Sequence, residues 1–116
     1  MTFNFYIGGY GRDSHRFTLD NSRLRCSEYY GIPSDHDKII SVAENEDWGK
    51  LLNFLKGCDW KRRYDSDILD GTQWELKVKA PRIHINSYGS NAYPENFGEF
   101  LVLLNRVLGE TGLQVK

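Results

Sequence analysis

The chain has 116 residues, a formal net charge of −1, 40% hydrophobic and 14% aromatic residues, and two cysteines. That length suits a single domain over residues 1–116 with a core that needs no metal or disulfide staple, and the composition excludes a disordered tail. A near-neutral charge excludes a whole-chain attraction to nucleic acid or membrane, so only the distribution of charge is informative.

The N-terminal stretch Met1 to Tyr10 alternates Phe3, Phe5 and Ile7 with Thr2, Asn4 and Tyr6, which predicts a strand with one buried face. Gly8, Gly9 and Gly11 follow it without the GxGxxG spacing of a phosphate-binding turn, and a hairpin loop is the expectation. His15, Phe17 and Leu19 predict a second strand, Asp20-Asn21 a turn, and Leu24 with Cys26 the inward positions of a third strand running to about Tyr30. Gly31 to Ser34 breaks it. The apolar residues Ile39, Ile40 and Val42 are too few to type by period, and a short extended segment is expected there.

From about Glu44 to Lys56, Trp48, Leu51, Leu52 and Leu55 recur at helical spacing on one face, with Gly57 as the stop. Asp59 to Leu69 reads as a polar connection that Trp60 and Tyr64 pin to the body. Trp74, Leu76 and Val78, then Ile83 and Ile85 after a turn at Pro81, predict a hairpin of two half-buried strands. Pro94 is placed to open a second helix, with Glu95 in its first turn and Gly109 beyond its end. Phe97, Phe100, Leu101, Val102, Leu103, Leu104, Val107 and Leu108 cover more than half of that helix, which predicts either deep burial or a partner on one side.

The sum is an α+β fold: about five antiparallel strands in one sheet, with two helices packed on one face in the order ββ(β)α-ββα. The halves echo each other in structure without a residue-level repeat.

Chemistry is harder to find. His15, His36 and His84 have no metal-ligand spacing and read as surface or rim side chains. Asp65 to Gly71 has the oxygens of a calcium loop, but its glycine is one place late and no glutamate closes it, so a turn is expected. Cys26 lies on an inward face, Cys58 at a helix end, and both read as reduced thiols. Glu44, Glu46 and Asp47 are explained by the positive start of a helix. No nucleophile stands beside an oriented base, so a non-enzymatic protein without cofactor or metal is the expectation.

Charge patterning gives one lead. With the helices on one face, the other face should carry Arg16, Arg23, Arg25, Lys77, Lys79, Arg82 and His84 together with Asn4 and Tyr6, while acids gather around the first helix. Such a face fits an acidic protein or a nucleic-acid strand, and equally a solvated sheet whose cations discourage edge pairing. A second lead is the stretch Asn91 to Phe97, where Asn91 and Tyr93 belong either to a tight lead-in to the helix or to a presented recognition loop.

The motif Asp70-Gly71-Thr72-Gln73-Trp74-Glu75-Leu76, followed by Gly89-Ser90-Asn91-Ala92-Tyr93-Pro94-Glu95-Asn96-Phe97, resembles a DGTxWxL and GSNAYPxNF pairing of small uncharacterised bacterial and phage-associated proteins. The resemblance covers the C-terminal third and brings no catalytic residue with it. It implies a binding module, of the kind that includes inhibitors and immunity-type proteins in bacterial and phage conflict. The expected partner is therefore a protein, with nucleic acid as the alternative, contacted through Arg16, Arg23, Arg25, Lys77, Lys79, Arg82, Asn91 and Tyr93. No apolar run approaches the length a bilayer needs, and MTFNFYIGGYG lacks the basic-then-apolar order of a signal peptide. A cytoplasmic location without membrane contact is the matching expectation.

Overall fold

Alternation of Phe3, Phe5 and Ile7 makes β1 (Thr2–Gly9) a strand with a wholly apolar side, and the computed structural model places it at the centre of one sheet. The structure describes residues 1–9, 14–29, 37–65 and 71–109. β2 (Ser14–Asp20) and β3 (Arg23–Tyr29) continue the sheet on one side of β1 and β4 (Lys38–Ser41) ends it there; β6 (Thr72–Ala80), β7 (Ile83–Ser90) and β5 (Arg63–Asp65) complete the other side. The strand order is β4-β3-β2-β1-β6-β7-β5.

Two hairpins thus flank the N-terminal strand. Phe5 sits opposite Phe17 on β2 and opposite Leu76 on β6, so the register carries the apolar side straight across the sheet. The β2–β3 turn places Asn21 and Ser22 at φ 48° and 65°, the two left-handed positions of a type I′ hairpin. The β6–β7 turn pairs Pro81 with Arg82 at φ 66°, an arginine where glycine or asparagine is the unstrained choice.

Both helices cover the same side. α1 (Glu46–Lys56) begins at Asn45, whose side-chain Oδ1 accepts from the Trp48 backbone N–H at 3.0 Å, and buries Trp48, Leu51 and Leu55. α2 (Phe97–Val107) buries Phe97, Phe100, Leu104 and Val107. Phe3 meets Trp48 edge to face at 5.1 Å between ring centres, and Phe5 meets Phe100 at 4.9 Å, which packs α1 over the start of β1 and α2 over its middle. Trp60, Trp74, Tyr93 and Phe97 form an aromatic cluster at the end of the core nearest the start of α2.

The five expected strands are present, yet among the described residues the sheet has seven strands and is mixed rather than antiparallel. The extended segment before α1 is β4, paired antiparallel with β3. The supposed polar connection contains β5, three residues running parallel to β7. A three-residue strand is too short to show a period, and its pairing partner lies far along the chain. α2 begins at Phe97, three residues after Pro94, whose carbonyl accepts from the Phe97 N–H at 3.1 Å, so Pro94 belongs to the turn that leads into the helix. α2 is buried along one stripe, with Leu101 and Leu103 half-buried and Gly98, Glu99, Val102 and Arg106 exposed, so it is not enclosed all round. His15 is buried against Phe17 rather than placed at the rim. Gly11, the end of the third strand at Tyr30, the break at Gly31 to Ser34, His36 and most of the calcium-like loop lie outside the described residues.

Candidate functional site

With both helices on one side, the odd-numbered positions of β1 face the core and its even-numbered ones face outward. Register then assembles the outer face in rows. One row reads Ile39, Arg25, Thr18, Asn4, Lys77 and Asn86 across β4, β3, β2, β1, β6 and β7. The next reads Ser27, Arg16, Tyr6, Glu75, Tyr88 and Arg63, ending on β5. Five predicted contact residues, Arg16, Arg23, Arg25, Lys77 and Lys79, all lie on this face.

The centre of the face is ordered by side-chain contacts. Arg16 Nη1 donates to Asn4 Oδ1 at 2.7 Å, while its guanidinium carbon lies 5.0 Å from the centre of the Tyr6 ring. Tyr6 in turn donates its hydroxyl to Ser14 Oγ at 3.4 Å. Three exposed ion pairs surround this cluster: Arg25 with Asp37 at 3.9 Å, Lys77 with Glu75 at 3.3 Å, and Arg63 with Asp65. Such pairs contribute little to stability in water, typically about 0–1 kcal/mol. They do set local charge: among the described residues six cations, Arg16, Arg23, Arg25, Arg63, Lys77 and Lys79, stand against four acids on the face or paired to it, Asp20, Asp37, Asp65 and Glu75. On the other layer, Glu46 and Asp47 lie in the first turn of α1, beside the positive end of its dipole.

Arg82 is not on the face but at the tip of the β6–β7 turn, because the turn residue precedes the first strand position. Asn91 is turned inward. Its Oδ1 accepts from the Thr72 N–H at 2.8 Å, and its own N–H donates to the Thr72 carbonyl at 2.8 Å, so it closes the end of the β6–β7 ladder. Tyr93 is 42% exposed and packs 5.0 Å from Phe97, the staple role with one ring face left to solvent. The 89–97 stretch is further tied down by Trp74 Nε1 donating to Ala92 O at 2.9 Å and Trp60 Nε1 donating to Asn96 Oδ1 at 2.7 Å.

Sequence reasoning missed two members of the face. Tyr88 is set beside Glu75 by the antiparallel β6–β7 pairing and continues the outward alternation of His84 and Asn86, whereas Arg63 is set beside Tyr88 by the parallel β5–β7 pairing, which no local period marks. Tyr88 is 39% exposed.

The thiols are poorly suited to nucleophilic chemistry. Burial pushes the Cys26 thiol up to about 12, with the Asp37 carboxylate adding to the effect and Lys38 opposing it. Burial also pushes Cys58 up, against the hydrogen bond from Asn96. A cleft of about 1000 Å³ opens beside β4 between the start of α1 and the end of α2, where Ser41 has no histidine or cysteine beside it among the lining residues. No helix among the described residues is long and apolar enough to cross a membrane. The chain matches no protein-family model, and no curated protein is similar enough to count as a relative.

Proposed function

We propose that this protein is a non-enzymatic binding module whose open sheet face takes an acidic surface of a protein partner. The observation that carries the reading is the gathering of Arg16, Arg23, Arg25, Lys77, Lys79 and Arg63 on one open sheet face of a chain whose net charge is −1. Six strand spacings of about 4.8 Å and strands of about 23 Å give a flat area of roughly 650 Å², comparable with the ~800 Å² per partner of a standard interface. Arginine and tyrosine, the side chains enriched at binding hot spots, occupy its middle row.

Two competitors fit less well. A second copy of the chain applied face to face would bring two like-charged surfaces together. A nucleic-acid strand needs open rings for its bases, whereas Tyr6 is covered by Arg16 and tied to Ser14, leaving Tyr88 as the exposed ring among the described side chains of the face. The resemblance of residues 70–76 and 89–97 to bacterial and phage-associated proteins supplies the setting, in which occupying a partner's surface amounts to inhibition or immunity.

The test is capture from a nuclease-treated bacterial lysate by immobilised wild-type protein and by an Arg16→Glu, Lys77→Glu variant of equal stability. A stoichiometric protein held by the wild type and lost by the variant is the expected result. Capture that survives the charge reversal, or that yields only nucleic acid when nuclease is omitted, overturns the reading.

A further inference from the structure

The cations of the sheet are not equivalent. Arg16, Arg25, Lys77 and Arg63 each have a partner on the molecule, whereas Arg23, Lys79 and Arg82 meet no carboxylate within ion-pair distance among the described residues. These three share one end of the sheet, where the β2–β3 and β6–β7 turns lie on either side of the start of β1. Three strand spacings separate the two turns, about 14 Å. Asp20 is the one acid at this end among the described strand residues, opposite Arg23 in register and not ion-paired with it.

A cleft of about 390 Å³ adjoins the same turn on the helix side, across the sheet end from Arg23 and Lys79, so an extended segment lying along this end directs alternate side chains to the cations and to the cleft. Leu19, Val42 and Trp48 give it an apolar wall, and Asn21 and Ser22 of the β2–β3 turn form its rim next to Arg23. The Val42 N–H donates to the Ser22 carbonyl at 2.9 Å, so the turn and the cleft wall are held as one unit. Arg82 holds φ 66° at the tip of the β6–β7 turn, after Pro81, which sets its side chain at this end of the sheet.

We infer that this end of the sheet recognises an acidic peptide segment of the partner, with its carboxylates on Arg23, Lys79 and Arg82 and one apolar side chain in the cleft beside Trp48. The inference rests on the basic-face reading above and adds to it the location and the chemistry of the segment. Unpaired cations offer their full charge to an incoming carboxylate, whereas a paired one must first exchange a partner. An extended segment of about five residues spans the distance between the two turns.

The experiment is an NMR titration of the isotopically labelled protein with a pool of short Asp/Glu-rich peptides, each carrying one leucine or phenylalanine, at low salt. It is run on the wild type, on Arg82→Gly, on Arg23→Ser with Lys79→Ser, and on Arg16→Gln with Lys77→Gln. The expected result is shifts confined to residues 19–23, 42–48 and 79–84. Both variants of the sheet end should bind about tenfold more weakly or worse, the mid-face variant should be nearly unchanged, and peptides without the apolar residue should also weaken by about tenfold. Shifts centred on Arg16 and Lys77, unaffected by the substitutions at the sheet end, overturn this inference while leaving the basic-face reading in place. No shift with any peptide overturns the inference alone, and binding of an oligothymidylate in place of every peptide overturns both.

Discussion

Trp74 and Gly89 face each other across the β6–β7 ladder, and the indole fills the space that a side chain at position 89 would need: a Cβ there would lie 2.4 Å from Trp74 Nε1 and 2.5 Å from the Ala92 carbonyl. The same indole nitrogen donates to that carbonyl, so the glycine seats the tryptophan and the tryptophan holds the loop. Gly89→Ala is expected to cost about 1–3 kcal/mol by overpacking, and Trp74→Ala about 3–5 kcal/mol from a side chain only 2% exposed. Combined, they should cost less than the sum, because removing the ring frees the space. Urea denaturation of the four proteins in the cycle measures this; strict additivity would mean the two residues do not touch.

Asn91 has a structural role that can be separated from binding. It sits at φ 55° with Oδ1 on the Thr72 N–H, so Asn91→Ala loses an acceptor and adds strain, for about 1–2 kcal/mol. Asn91→Asp keeps an acceptor and should retain most of the stability. If Asn91→Asp instead abolishes partner capture while the melting temperature is unchanged, Asn91 is a contact residue after all.

At Arg82 stability and function should diverge. Replacing it with glycine removes a left-handed cost of about 1–2 kcal/mol and gives back about 0.4–1 kcal/mol of unfolded-chain entropy. A net gain of about 0.5 kcal/mol is expected in chemical denaturation. A loss of stability would show that the arginine side chain holds the turn together.

The Cys26 thiol ties stability to alkaline pH. Its folded pKa of about 12 lies above the ordinary 9.0, so between these values the unfolded chain releases a proton that the folded chain keeps. The stabilisation is complete below about pH 9 and falls as pH rises towards 12. Cys26→Ala should therefore flatten the decline of stability across that window relative to wild type, whatever its offset at neutral pH. Native protein should also leave Cys26 unreacted with a thiol reagent that modifies it readily in urea. An identical slope in the two proteins would place the thiol in contact with water.

What the chain shows by itself is local. The alternation of Phe3, Phe5 and Ile7, of Trp74, Leu76 and Val78, and the helical spacing of Trp48, Leu51, Leu52 and Leu55 are each visible within a dozen residues, and each corresponds to a strand or helix in the structure. The basic outer face follows from them, because a residue next to a buried strand position points the other way. Tertiary structure decided the rest. It set β1 at the centre of seven strands, laid the short β5 parallel to β7, buried His15 against Phe17, and turned Asn91 onto Thr72. It also gathered Arg23, Lys79 and Arg82 from separate turns and strands to one end of the sheet. Side-chain period reports which way a residue faces on its own element, whereas strand order and register depend on backbone pairing and packing between segments far apart in the chain. The candidate site is made of those pairings, and so it became visible only in the fold.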